Sequence, residues 1–323
     1  MNSNRTDAGE YDVTFLWPFP TGARGIARVR ALFAACNAFE WLTLGYLTLL
    51  NLLLVLFHHN LSRPFLFITV HSALAIAIVA LAWLASRTSN RLFLFMRHWY
   101  PLALFLFFFE ELHYLVRLIF PGWFDHWLIQ FDYALLGAHP TVWMQQFGTP
   151  ALTDFLQFAY MTYYLYTVVL GGLLYRRGEL RAFWVLMTST AAAYYAGYLI
   201  SILFPIEGPY HTLAALHRVE LTGGVFTSAI NWIESWGRVH GGAFPSAHVS
   251  GSFVVILAAW RYRRRLFWVF LPFFAAMLVA TVYGRYHYVA DVLAGILVAA
   301  VAFVIVGRRP TLECGSLLPP YST

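Results

Sequence analysis

The chain has 323 residues, 60% of them hydrophobic and 11% charged, with a formal net charge of +6. A soluble domain carries about a quarter charged residues, so an aqueous globular enzyme is excluded and an integral membrane protein is expected. No lysine occurs and all 21 basic residues are arginine, which excludes lysine Schiff-base chemistry and a lysine phosphate clamp.

Residues 1–20 are polar and then aromatic, without a basic stretch leading into an apolar core, so no cleaved signal peptide is expected. Residues 1–38 read as an N-terminal cytoplasmic segment. A membrane helix needs about twenty apolar residues. Runs at 39–57, 65–86, 99–120, 152–175, 182–204, 244–260, 266–283 and 286–307 predict about eight spans. The expected fold class is therefore all-α, a polytopic transmembrane helix bundle. Residues 39–175 read as an N-terminal membrane region with an interfacial loop, 176–307 as a catalytic membrane core and 308–323 as a cytoplasmic tail. The last two spans have almost no linker, which places a tight turn near Gly284.

Two connections are long. Within 121–151, residues 131–137 predict a helix lying in the interface with its aromatics at headgroup level. Within 205–243, Phe226, Ile230, Ile233 and Trp236 recur at helical spacing over 226–236. That helix is expected to be a lid, a lipid entry lip or a loop packed on the bundle.

Arginines set the orientation. Arg24, Arg28 and Arg30 precede the first span; Arg87, Arg91 and Arg97 follow the second; Arg176, Arg177 and Arg181 follow the fourth. Arg261, Arg263, Arg264 and Arg265 follow the sixth, and Arg308 and Arg309 the eighth. Eight spans with both termini cytoplasmic put all of these on one side. The expected location is a bacterial inner membrane. Phe204-Pro205, His248 and His287 then meet at the non-cytoplasmic, periplasmic face.

His287 and Asp291 are four residues apart and predict one helix face. Asp291 then orients the imidazole and leaves the other ring nitrogen free to attack. His248, at the start of another span, suits proton donation to a leaving oxygen. Ser246 and the backbone N–H groups beside it suit a phosphate anion. Ionisable groups at such membrane positions default to function. A lone buried histidine is more often structural, but here a second histidine and a carboxylate share its membrane side.

Glu110, Glu111, His113 and Arg117 cluster in the third span. They read either as a brace of internal ion pairs, the slightly favoured reading, or as a polar headgroup site. Glu110-x-x-His113 resembles half of a di-iron motif, but no second copy exists. His58, His59, His71, His98 and His126 read as interfacial or structural. Cys36 and Cys314 form no cluster, so no disulfide framework and no metal site is expected.

Pro245-Ser246-Ala247-His248 and His287-Tyr288-Val289-Ala290-Asp291-Val292-Leu293-Ala294-Gly295 resemble the second and third motifs of the type-2 phosphatidic acid phosphatase (PAP2) superfamily. The resemblance covers about the last third of the chain. It implies that His287 forms a phosphohistidine, that Asp291 is its partner and His248 the proton donor, and that no metal cofactor takes part. The family's first motif carries a lysine and an Arg-Pro; residues 201–209 hold neither basic group. Ala280-Thr281 stands where the third motif has Ser-Arg. Arg285 is expected to supply that charge, with Arg238 and Arg218 as further candidates.

Gly284-Arg285-Tyr286-His287-Tyr288-Val289-Ala290-Asp291-Val292 is similar to the sphingomyelin synthase motif. Phe204-Pro205 with Gly208-Pro209 is similar to the proline motif of inositol phosphotransferases, and Asp132, Gly137 and Pro140 show a weaker likeness. The expected substrate is a phospholipid or lipid phosphate, with water or an alcohol as acceptor and no nucleic-acid partner. A non-catalytic phospholipid transporter is the alternative from another class. It predicts repeated, broken spans, and no repeat is visible.

Overall fold

The computed structural model describes residues 32–237 and 240–308. Among these residues the chain is helical throughout, without strands. The helices are α1 (Ala38–Leu56), α2 (Pro64–Arg87), α3 (Arg91–Leu115), α4 (Asp125–Leu136), α5 (Pro140–Met144), α6 (Pro150–Met161) and α7 (Tyr163–Arg176). There follow α8 (Leu180–Leu203), α9 (Pro209–Thr212), α10 (Val225–Gly237), α11 (Ala247–Tyr262), α12 (Arg264–Tyr283) and α13 (Val289–Gly307). Six of them, α1, α2, α3, α8, α12 and α13, are long and apolar enough to cross a membrane.

Local chemistry sets the boundaries. Asn37 caps α1, accepting from the Phe39 N–H at 2.8 Å, while Glu40 reaches back to the Asn37 N–H. Each satisfies N–H groups that the first helical turn leaves without a partner. Proline opens α2, α5, α6 and α9, where its missing N–H costs nothing.

Three expected spans are redrawn. The third begins at Arg91, not at 99, because Asn90 caps it through the Leu92 N–H at 2.9 Å. Within it Arg97 is neutralised by Glu40 at 2.9 Å. The fourth is two helices, α6 and α7, joined at Thr162. There the Thr162 hydroxyl donates to the Ala159 carbonyl and pairs with Tyr166. The sixth starts only at Ala247, after Pro245 and its cap Ser246, and is 16 residues long. The expected helix at 131–137 is the second half of α4, which ends at Leu136 with Gly137 as its cap, and that at 226–236 lies within α10.

α8 is the hub. It packs against α1, α3, α7, α11 and α13, and most of its surface is buried, whereas α2 is mostly exposed. A helix that is apolar and exposed suits lipid. Close approaches rely on glycine: a Cβ on Gly251 of α11 would meet the Tyr194 hydroxyl of α8 at 2.1 Å, and one on Gly295 of α13 would meet the Ser246 carbonyl at 2.8 Å. Small residues of this kind let membrane helices pack backbone to backbone.

The turns between α7 and α8 and between α11 and α12 lie at one end of the bundle. Arg263 pairs with Glu179 there, and the Arg261 guanidinium donates to the Gly307 carbonyl at 3.5 Å. His248 and His287 lie at the opposite end.

Candidate active site

The site assembles at the facing starts of α11 and α13. Ser246 joins them: its N–H donates to the Asp291 carbonyl at 3.1 Å, and its hydroxyl accepts from the Val249 N–H at 3.3 Å. Ser246 is fully buried, so its hydroxyl is a helix cap and does not line the pocket. The expectation that it meets phosphate is corrected accordingly.

His287 lies in the turn before α13, not on the helix face that its spacing from Asp291 predicts. α13 starts at Val289, and Asp291 reaches back over the helix start. Asp291 Oδ2 accepts the Tyr288 N–H at 2.7 Å and faces His287 Nδ1 at 3.3 Å. One carboxylate oxygen thus caps the helix and orients the imidazole. The other oxygen, Oδ1, is buried and accepts no hydrogen bond from the described residues.

With Nδ1 donating to Asp291, Nε2 of His287 keeps its lone pair. It faces His248 Nδ1 at 3.2 Å. His248 Nε2 in turn lies 2.9 Å from the Tyr160 hydroxyl. One assignment satisfies the whole chain: Tyr160 donates to His248, His248 to His287, and His287 to Asp291. Burial pushes the His287 imidazole down to about 4, opposed by a backbone hydrogen bond at Ala243, so the ring is neutral at pH 7.

Two aspartates support the site. Asp132 of α4 accepts the Val289 and Ala290 N–H groups at 2.8 and 2.9 Å, capping α13. Asp125 accepts the N–H groups of Glu207 and Gly208, both at 2.8 Å, and the Tyr288 hydroxyl at 2.9 Å. Asp132 entered the sequence reading only as a weak likeness, and Asp125 and Tyr160 not at all. Their partners lie 157, 163 and 88 residues away, and no local pattern encodes such pairings.

A pocket opens over the two histidines. Its wall includes Tyr160, Gly208, Ile230, Ile233, Gly241 and Arg285. Gly208, Gly241 and Gly242 have φ of 108°, 91° and 73°, a region glycine enters without strain. Arg285 itself has φ 66°, which is uncommon for a residue with a Cβ. It lines the pocket as expected, but one of its terminal N–H groups donates to the Val219 carbonyl. Its Nε is buried without a partner among the described residues.

Other expected residues lie elsewhere. Pro209 is buried at the start of α9. Arg218 is exposed and donates its backbone N–H to Gln145. Arg238 lies outside the described residues. Glu110, Glu111 and His113 do not line the pocket. The brace expected within α3 is replaced by Glu111 pairing with His71 of α2 at 2.6 Å, while His113 Nδ1 accepts the His240 N–H at 3.1 Å.

The expectation of no metal-ligand cluster is corrected as well. Glu207, His211 and His240 bring their donor atoms within 4.8 Å of one another. The folded loop 205–243 makes this cluster, and linear spacing hides it.

Neither the curated proteins nor the solved structures hold a significant match to this chain. A family model described as the PAP2 superfamily matches residues 126–305. That stretch is more than half of the chain and includes both histidines, Asp291, Tyr160 and Asp132, and the chain therefore belongs to the PAP2 superfamily.

Proposed function

We propose that the protein cleaves a lipid phosphoester through a covalent phosphohistidine on His287. Superfamily membership supports phosphatase-type activity on phosphoesters. The observation that carries the finer reading is the ordered chain Tyr160–His248–His287–Asp291 at the floor of the pocket.

In the first half-reaction, the Nε2 lone pair of His287 forms a bond to phosphorus and the phosphorus–oxygen bond to the lipid breaks. His248 gives its Nδ1 proton to the departing oxygen and takes the Tyr160 hydroxyl proton at Nε2, so the ring stays neutral. Substrate binding must therefore exchange the His248–His287 hydrogen bond for one from His248 to that oxygen. The phosphorylated imidazole is cationic, and Asp291 stabilises it through a charge-assisted hydrogen bond.

In the second half-reaction, His248 takes a proton at Nδ1 from water or an alcohol, whose oxygen attacks phosphorus, and returns the Nε2 proton to Tyr160. The phosphorus–nitrogen bond breaks and His287 returns to its neutral form. Water gives a phosphatase and an alcohol gives a phosphotransferase. The likeness of 284–292 to sphingomyelin synthases supports a lipid or inositol-type alcohol as acceptor.

Membrane placement follows from the same reading. The chain crosses the membrane eight times, with α6–α7 together and α11 completing the count. The arginine-rich turns face the cytoplasm and the pocket faces the periplasm. α4 and α10 lie in the headgroup layer: α10 turns Ile230 into the protein and leaves Val225 and Trp232 exposed.

Purified protein incubated with radiolabelled lipid phosphate tests the proposal. Acid-labile label should accumulate on the wild type and be absent from His287→Ala. Adding candidate alcohols should divert label from free phosphate to a new ester. Label retained by His287→Ala would sink the nucleophile assignment.

A further inference from the structure

We propose that Glu207, His211 and His240 form a divalent-cation site of zinc type at the rim of the catalytic pocket, and that the ion there takes an oxygen of the substrate's phosphate. The second half of this proposal rests on the phosphoester reading; the first half does not.

The donor set comes first. One carboxylate oxygen and imidazole nitrogens from two histidines lie within 4.8 Å of one another. Zinc is bound by such N and O ligands at about 2.0–2.2 Å, and three protein ligands leave a position for an outside oxygen. Two imidazoles disfavour magnesium and calcium, which take oxygen ligands.

The ligands are held by their neighbours. The His240 ring stacks on Trp123 at 5.5 Å and on His211 at 4.7 Å. Its backbone N–H is fixed by His113, and the Glu207 N–H by Asp125. Supports of this sort orient metal ligands in known sites. His240 Nε2 now lies 2.6 Å from Glu207 Oε1, and its side chain is 46% exposed. An entering cation has access, and it replaces whatever proton that hydrogen bond holds.

Charge gives the ion a role. Glu207 and His211 line the same pocket as His248 and His287. Glu207 places a carboxylate on that wall, which repels a phosphate entering the pocket. A dication held by Glu207 offsets that repulsion beside the two histidines. The ion acts on binding, and the bond-making groups remain His287 and His248.

The test uses full-length protein in detergent, stripped with chelator and titrated with zinc alone. Wild type should retain one more zinc per chain than His211→Ala/His240→Ala, and zinc should raise the Tm of wild type only. Equal Tm values before zinc show that the double variant is folded. Glu207→Gln, which keeps the residue's size, should bind zinc at least about tenfold more weakly. No zinc retained by wild type, or equal retention by the variants, overturns the site.

The role is read separately. Stripping zinc should raise the KM for an aryl phosphate about tenfold and leave kcat nearly unchanged. Unchanged KM overturns the phosphate role. Zinc bound at this site by a protein with no turnover supports the site and overturns the phosphohistidine reading.

Discussion

Tyr160→Phe removes one oxygen and leaves the ring. That ring stacks on Tyr286 at 4.6 Å, a contact phenylalanine reproduces, so the pocket wall should keep its shape. What is lost is the donor 2.9 Å from His248 Nε2. In wild type that bond holds His248 with its proton on Nδ1, the nitrogen facing His287. Without it the ring is free to carry its proton on Nε2 and turn a lone pair toward the reaction. Leaving a buried acceptor without its donor costs about 1–2 kcal/mol, roughly 5- to 30-fold in rate. Tyr160 acts through His248, so the loss should depend on how much the leaving group needs a proton. The assay compares kcat for an alkyl phosphate, whose alkoxide is a poor leaving group, with kcat for a nitrophenyl phosphate, which departs unprotonated. The alkyl substrate should lose the full factor and the aryl substrate little. Equal losses on both would refute the positioning role, as would full activity on the alkyl ester.

Arg285→Ala should raise KM and lower kcat, with Arg285→Lys intermediate, because an ammonium cannot bind phosphate in the guanidinium's bidentate way; near-normal kcat/KM in Arg285→Ala would make it only a membrane-interface anchor. Because burial holds His287 near 4, the acid limb of kcat/KM should fall near pH 4 with a phosphodiester substrate that stays singly charged, and a limb at pH 6–7 would refute the burial argument. The sign for stability is the same: His287 is depressed in the fold, so its contribution is complete above the ordinary value of 6.5 and is lost as pH falls toward 4. Gly295→Val should cost about 1–3 kcal/mol of stability, seen as a lower Tm in detergent, and should lower kcat by separating Asp291 from the start of α11. An unchanged Tm would mean the Gly295 contact is loose.

The membrane character, the all-helical fold and the superfamily were legible in the sequence because each is written locally, although the sequence predicts about eight spans and six of the described helices are long and apolar enough to cross. Hydrophobic run length needs no tertiary information, and His248, His287 and Asp291 stand out because ionisable groups interrupt such runs. The helix at 225–237 was visible because Ile230 and Ile233 recur at helical spacing. Boundaries were less legible. Asn90 and Ser246 move helix starts through single hydrogen bonds, and Thr162 divides a run whose hydropathy is continuous. The geometry of His287 and Asp291 was misread for the same reason. Four residues suggest a shared helix face, but the helix begins between them, and Asp291 orients His287 as part of its cap.

The sequence by itself determined the candidate groups His248, His287 and Asp291, because their chemistry is carried by residue type and short spacing. Only the tertiary structure decided what surrounds them. Tyr160, Asp125 and Asp132 reach the site across 88, 163 and 157 residues, and Glu207, His211 and His240 converge when one loop folds over α3 and α4. The physical reason is that hydrogen bonds and electrostatic forces act over a few ångströms in space, and chain order records those distances only within a helical turn.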